Sequence, residues 1–327
     1  MRILVTGATG FLGSHIAEQL ARQGHAVRVL VRHTSDRSFL QGFDAEEALG
    51  EVNQPDSLPA VVDGVEAIVH AAGLTKARSA AEFDAVNAGG TANLLAALDP
   101  AQPLRRFVLI SSLAAHGPSV DGQPRPPDAP PTPITAYGRS KLRAEEIVRS
   151  WAADGRAATI IRPPVIYGPR DRQLLPFFRA ARWRLAPLLG GGTNSVSCVY
   201  VEDAARAAAL AATAGDDVPS ATYALDDGVV YTWRDLLAAV EQAVGKKALR
   251  LPSPPWAFAA AALVTELYGR LRRQAVSFTR EKVLEMRQRY WICSHEEISR
   301  DLGWEPHVGL SEGAALTAAW YRQHGWL

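Results

Sequence analysis

Short runs of β-branched and aliphatic residues recur through the first half of the chain, separated by segments whose apolar positions follow helical spacing. The runs at residues 2–5, 27–31, 67–71, 107–111 and 159–162 are apolar at consecutive rather than alternate positions, so each strand is expected to be covered on both faces. Between them, residues 14–23 bring Ile16, Ala17 and Leu20 to one face and stop at Gly24, a residue suited to a helix C-terminus. Strands alternating with helices predict an α/β fold, a Rossmann-type doubly wound parallel sheet. From Pro169 onward the spacing becomes irregular, with glycines at 190–192 and a proline-rich break at 252–255 ahead of further helical segments. The expected division is a sheet domain over residues 1–165, to which segments around 195–235 return, and a smaller C-terminal substrate-binding lobe over 166–327.

The turn between the first strand and the first helix reads Thr6-Gly7-Ala8-Thr9-Gly10-Phe11-Leu12-Gly13. Gly7 allows a tight turn, Gly10 lets the backbone approach a ligand, and Gly13 permits close packing of helix on strand. A helix N-terminus in that place holds a pyrophosphate, so Gly7, Thr9, Gly10, Phe11, Leu12 and Gly13 are candidate contacts to a dinucleotide. An acidic residue ending the second strand would mark NAD through its ribose diol. The strand instead ends in Arg32, with Ser35 and Arg37 close behind, residues able to pair with a 2′-phosphate. NADP is therefore favoured, with NAD as the alternative.

Composition narrows the partners. Basic and acidic residues nearly cancel, 35 against 34, so no overall field favours a nucleic acid, and a small-molecule substrate is expected. Cys198 and Cys293 are the only cysteines and form no metal-ligand pattern, so both are read as reduced packing residues and no metal site is expected. The chain runs from Met1 straight into a strand with no signal-like segment, and its longest apolar stretch, 256–267, is too short to span a membrane; a cytoplasmic location is expected.

Taken in order, the glycine turn, His70-Ala71-Ala72-Gly73, Asn87, Ser111-Ser112, Tyr137 with Lys141, and Arg162-Pro-Pro-Val-Ile-Tyr-Gly-Pro169 resemble the extended short-chain dehydrogenase/reductase family across essentially the whole chain. Physical chemistry agrees with the resemblance at its centre. Tyr137 and Lys141 lie four apart in a helical segment and so share a face, where a nearby ammonium and an oxidised nicotinamide would lower the phenol pKa from about 10. The resemblance implies that Tyr137 exchanges a proton with the substrate oxygen while hydride moves at the adjacent carbon, and that Ser112 hydrogen bonds the same oxygen. It further implies that Ser111 is a structural or cofactor contact, that Ala71, Ala72 and Gly73 line the cofactor, that Pro163, Pro164 and Val165 lie along the nicotinamide, that Asn87 anchors the strand ends, and that Val52 touches the adenine, with Glu51 as a weaker contact. Thr75, His116, Tyr167 and Tyr200 are the candidate substrate contacts. Relatives in this family dimerise through helices corresponding to residues 87–98 and 137–151, so a homodimer is expected.

The family holds nucleotide-sugar epimerases, dehydratases and alcohol or sterol dehydrogenases. Leu113-Ala114 stand where its 4,6-dehydratases carry an Asp-Glu pair. Val165 replaces the asparagine usual in nucleotide-sugar enzymes, and no arginine lies near Val196. With Val165, Ile166 and Tyr167 beside the apolar segment near residue 256, the chain looks more like the 3β-hydroxysteroid dehydrogenase and dihydroflavonol reductase branch. The leading reading is interconversion of a hydrophobic secondary alcohol and ketone, sterol-like or terpenoid-like; a nucleotide-sugar epimerase and a non-catalytic NAD(P) sensor are the alternatives. Two surface features complete the picture. Seven prolines between Gly117 and Pro133 mark a loop expected to border the site as a rim or lid, or to serve as a mere connector. Residues 246–289 carry ten Lys/Arg against three Glu. They are read as an amphipathic helix capping the substrate lobe with a solvated basic face, with peripheral contact to an anionic membrane as the alternative.

Overall fold

The computed structural model describes residues 1–102, 104–189 and 192–327, so Gly190 and Gly191 of the triple glycine lie outside the described residues. The strands are β1 (Arg2–Thr6), β2 (Ala26–Val31), β3 (Glu46–Leu49), β4 (Ala67–His70), β5 (Arg106–Ile110), β6 (Ala158–Arg162), β7 (Val165–Tyr167) and β8 (Leu185–Leu189). They continue with β9 (Ser195–Tyr200), β10 (Ala221–Ala224), β11 (Val230–Thr232), β12 (Leu249–Ser253) and β13 (Tyr290–Trp291). Seven of them form one parallel sheet in the order β10-β6-β5-β4-β1-β2-β3. The order reverses between β1 and β4, and in a doubly wound sheet the crevice beyond the strand ends at that point is where a ligand binds. Ala71 and Ser111, expected as the last strand residues, fall just past β4 and β5 and so stand at this crevice.

Burial explains the consecutive apolar runs. On one face Ile16, Ala17 and Leu20 of the helix Phe11–Arg22 pack with the alanines of the helix Val201–Thr213, small side chains that bring helix and sheet together. The opposite face carries Leu94, Leu95, Ala144 and Val148 from the helices Gly90–Ala96 and Ala136–Ala152. The remaining lobe is built on β7, β9, β11 and β13, backed by the helices Trp233–Val244 and Leu310–Gln323. Tyr321 ties the last helix back to the lobe by donating to the carbonyl of Asp171 at 2.5 Å.

The proline-rich loop is fastened: Arg125 donates to the carbonyls of His116 and Pro130, Arg162 donates to Pro127, and Ser119 donates its backbone N–H to Tyr290. One expectation is corrected: the helix Pro255–Arg272 does not cap the lobe with its apolar face. Trp256, Leu263, Val264, Leu267, Tyr268 and Leu271 are exposed, and the face turned inward carries Thr265 and Glu266. Among the described residues no helix is long and apolar enough to cross a membrane.

Three histidines are buried in this framework. Burial, with Arg170 and Lys141 respectively as further causes, lowers His15 to about 4 and His70 to about 3; His116 is lowered to about 4 by burial and by Arg162 and Arg125. Each stays neutral in the fold while its unfolded counterpart takes up a proton below about 6.5, so falling pH favours unfolding. Asp171 opposes them: burial raises it to about 6, so between that pH and its ordinary value the fold holds the extra proton. With about two net protons left, stability should fall by roughly 3 kcal/mol per unit as pH drops between about 6 and 5. Urea denaturation across that window checks it; an unchanged midpoint would mean that the histidines are not held neutral.

Candidate active site

The glycine turn is held between two elements. Gly7 has φ +72°, and a Cβ there would stand 2.7 Å from backbone atoms of Ala71 and Ala72. A Cβ on Gly13 would lie 2.2 Å from the Gly7 carbonyl oxygen. Only bare backbone fits at either position. No side chain caps the helix at Gly10, which leaves its first-turn amides available to an anion. The cradle at the strand-order reversal therefore fits the pyrophosphate of a dinucleotide.

A continuous hydrogen-bond chain runs from this turn to Tyr137. The Ala72 N–H donates to Thr6 Oγ1 at 3.1 Å, and Thr6 Oγ1 lies 2.7 Å from His70 Nδ1. His70 Nε2 lies 3.1 Å from Thr91 Oγ1, which donates to the Asn87 carbonyl at 2.7 Å. One assignment satisfies all four contacts: the Thr6 hydroxyl donates to Nδ1, and a neutral His70 donates from Nε2. Asn87 lies in a π-helical turn, Asp84–Gly89, that turns its amide toward the strand ends. Its Oδ1 accepts from Leu74 N at 2.7 Å, while Nδ2 donates to Leu74 O at 3.1 Å and to Ser140 Oγ at 2.9 Å. Ser140 in turn donates to the Tyr137 carbonyl at 2.8 Å.

Tyr137 and Lys141 lie on the helix Ala136–Ala152, whose N-cap Thr135 accepts from Gly138 N at 3.1 Å. Gly138 lets the helix rest on the short helix Leu113–His116 that follows β5, since a Cβ there would stand 2.3 Å from the Ala114 carbonyl oxygen. Lys141 Nζ donates to Ile110 O at 2.7 Å. A Cβ on Gly73 would crowd Asn87 Oδ1 at 2.9 Å and Lys141 Nζ at 3.4 Å. Burial lowers Lys141 to about 8, against the opposing pull of Glu145. Tyr137 is pushed up to about 12, by burial first and by the Glu285 charge, with a hydrogen bond to Ser112 pulling the other way. In the protein without its cofactor, desolvation of the phenolate dominates. Ser112 Oγ also accepts from Ala114 N at 3.1 Å.

Beneath this group lies an ion pair that spacing along the chain does not single out. Glu145 accepts from Arg162 Nε at 2.9 Å and from its terminal nitrogen at 2.7 Å, and also from Ser111 Oγ at 2.6 Å and Arg149 at 2.7 Å. Both Glu145 and Arg162 are buried. Glu145 follows Lys141 by four and Tyr137 by eight, so its place on the same helix face was the available signal. Ser111 is thus engaged with Glu145.

The other candidates occupy several surroundings. Arg32 is exposed with its guanidinium 3.6 Å from Glu51, Arg37 pairs with Glu47 at 2.8 Å, and Ser35 Oγ accepts from Arg32 N at 3.0 Å. Val52 is buried against Gly90, and the Pro163 carbonyl accepts from Leu113 N at 2.9 Å. Thr9, Phe11 and Leu12 are half-buried around the turn, and Pro164 and Val165 are half-buried past β6. Thr75 is exposed and accepts from Gln173 at 3.3 Å; His116 is buried 3.3 Å from the Ala129 carbonyl oxygen. Tyr167 and Tyr200 pack edge to face at 5.8 Å in the lobe core, where the Tyr167 hydroxyl has no hydrogen-bond partner. A cavity of about 50 Å³ opens beside them, lined by Val165, Tyr167, Phe177, Phe178, Trp233 and Leu236 among others, with no charged side chain in its wall.

The NAD dependent epimerase/dehydratase family matches residues 3–225, and the chain belongs to that family. Within it, the protein is an NAD(P)-dependent enzyme of the extended short-chain dehydrogenase/reductase type. It is similar to a ceramide reductase of Caulobacter vibrioides, 34% identical over 99% of this chain and 96% of that one. It is also similar to a 2-alkyl-3-oxoalkanoate reductase of Stenotrophomonas maltophilia, 32% identical over 96% of this chain and 97% of the relative. Among solved structures, a dTDP-glucose 4,6-dehydratase of Streptomyces venezuelae with NAD bound superposes with a TM-score of 0.81 at 26% identity, covering 100% of this chain and 98% of that one.

Replacing Glu145 by Gln would leave the Arg162 guanidinium buried without its counter-charge. Glu145→Gln should cost about 3–5 kcal/mol in chemical denaturation, and a loss below about 1 kcal/mol would show that the pair is compensated elsewhere.

Proposed function

We propose that this protein interconverts a lipophilic secondary alcohol and its ketone, using NADP in preference to NAD. The observation that carries the substrate class is the run of uncharged side chains that lines the lobe from Val165 to Leu237; the cavity they leave, about 50 Å³, would have to widen to admit such a substrate. A nucleotide sugar would need cationic groups for its diphosphate, and the residues lining that wall supply none. The names of two relatives, a ceramide reductase and a 2-alkyl-3-oxoalkanoate reductase, support the same class.

A bound nicotinamide supplies the hydride in the reductive direction. Tyr137, neutral up to about 12, donates its phenolic proton to the substrate oxygen, and Ser112, within hydrogen-bonding reach of that phenol, positions the same oxygen. Lys141, protonated below about 8, stabilises the phenolate left behind. Asn87 acts through Ser140 to hold the Tyr137 backbone in place. Arg32, Ser35 and Arg37 form the polar group beside which the 2′-phosphate of NADP is accommodated; Arg32 would exchange its Glu51 partner for the phosphate.

Against steroid, terpenoid and long-chain aliphatic ketones, NADPH oxidation by the wild type should be measurable, and Tyr137→Phe should lower kcat by about 10²–10⁴ while NADPH still binds. Turnover of a UDP-sugar without turnover of any lipophilic ketone would overturn the substrate class. Reductive kcat should fall as pH rises through about 8, where Lys141 loses its proton, and Lys141→Met should remove that limb. Arg32→Ala should weaken NADPH relative to NADH by roughly 10–100-fold in a binding titration; equal affinity of the wild type for both cofactors would refute the preference.

A further inference from the structure

The helix Pro255–Arg272 carries its polarity inside out. Its inward face is Phe258, Ala262, Thr265, Glu266 and Gly269: the Phe258 ring lies 6.1 Å from that of Phe278, Thr265 donates to the Phe278 carbonyl, Glu266 accepts from Arg280 N at 2.8 Å and Nε at 2.9 Å, and a Cβ on Gly269 would stand 2.8 Å from Val276. Its outward face is a single stripe at helical spacing, with Trp256 73%, Val264 67% and Leu271 77% exposed beside Leu263, Leu267 and Tyr268. A helix resting on a core by its apolar face would show the reverse. Large side chains left in water along a whole helix mark a surface made to meet something apolar.

We infer that this helix docks the protein onto a lipid bilayer with anionic headgroups, lying in the plane of the interface. Charge favours that occupant: Arg270, Arg272 and Arg273 are all exposed at the C-terminal end of the stripe, and Arg272 stands 5.8 Å over the Tyr268 ring. Arginines that rise from the apolar level to the headgroups, with Trp and Tyr at the boundary, are what such an interface selects. Spanning is excluded by the helix itself, which is too polar to cross.

The position of the helix ties docking to the site. It packs on the helix Arg280–Arg287, whose Glu281 accepts from Ala136 N at 2.9 Å and whose Glu285 accepts from Thr135 Oγ1 at 3.2 Å, at the start of the helix bearing Tyr137. A bilayer-bound enzyme would thus hold its site close to the phase in which a lipophilic substrate dissolves. Docking itself does not depend on the chemistry proposed above, because it is read without turnover.

The test is flotation of the full chain with phosphatidylcholine vesicles, with and without phosphatidylglycerol. The wild type should float with the anionic vesicles and dissociate as salt rises. L263E/L267E should stay at the bottom of the gradient, and R270Q/R272Q/R273Q should partition about a hundredfold less into anionic vesicles. Circular dichroism should show all three proteins folded alike, since the altered side chains face solvent. Wild type that floats with neither vesicle, or a dimer in sedimentation velocity that L263E/L267E converts to monomer without any vesicle binding, would overturn the inference; the latter would assign the stripe to a second copy.

Discussion

The buried ion pair between Glu145 and Arg162 is the constraint on which the geometry of the site depends. Glu145 comes from the helix Ala136–Ala152, Arg162 from the end of β6, and Ser111 from just past β5, so one carboxylate joins the helix carrying Tyr137 and Lys141 to two adjacent strand ends. Desolvating both charges is costly, and the fold compensates with a two-point guanidinium contact and two further donors. Rotating or sliding the helix would break all of these at once. The phenol and ammonium on the same face are therefore held in place from below, and Gly138 lets the helix sit close enough for it.

A second, neutral network performs the same service from the cofactor side. Thr6, His70, Thr91, Asn87 and Ser140 link the glycine turn to the Tyr137 backbone through groups that are buried or nearly so. Because His70 is driven far below its ordinary range, the chain stays uncharged at any pH near neutrality. A charge there would compete with Lys141 across the Gly73 backbone. Around Tyr137 and Lys141 the charges are few: Lys141 with its carbonyl partner, Glu145 committed to arginines, and Glu285, which raises Tyr137.

The lobe shows the opposite economy of polarity. Val165, Phe177, Trp233 and Leu236 line an apolar cavity inside the lobe, while the helix Pro255–Arg272 turns comparable side chains to the outside.

Much of this was legible along the chain because it is local. The consecutive apolar runs mark doubly covered strands, the glycines of the first turn mark positions where no Cβ fits, and the spacing of Tyr137 and Lys141 alone puts them on one helix face. What the tertiary structure decided is everything that depends on partners distant in sequence. That Arg162 meets Glu145, that burial and Glu285 hold Tyr137 high, and that Arg162 reaches across to fasten Pro127 of the proline-rich loop are contacts between segments that no spacing relates. The helix at 255–272 shows the reason most directly: periodicity establishes that a helix has an apolar stripe, but which way the stripe faces is set by the hydrogen bonds that Thr265 and Glu266 find on the next segment of chain.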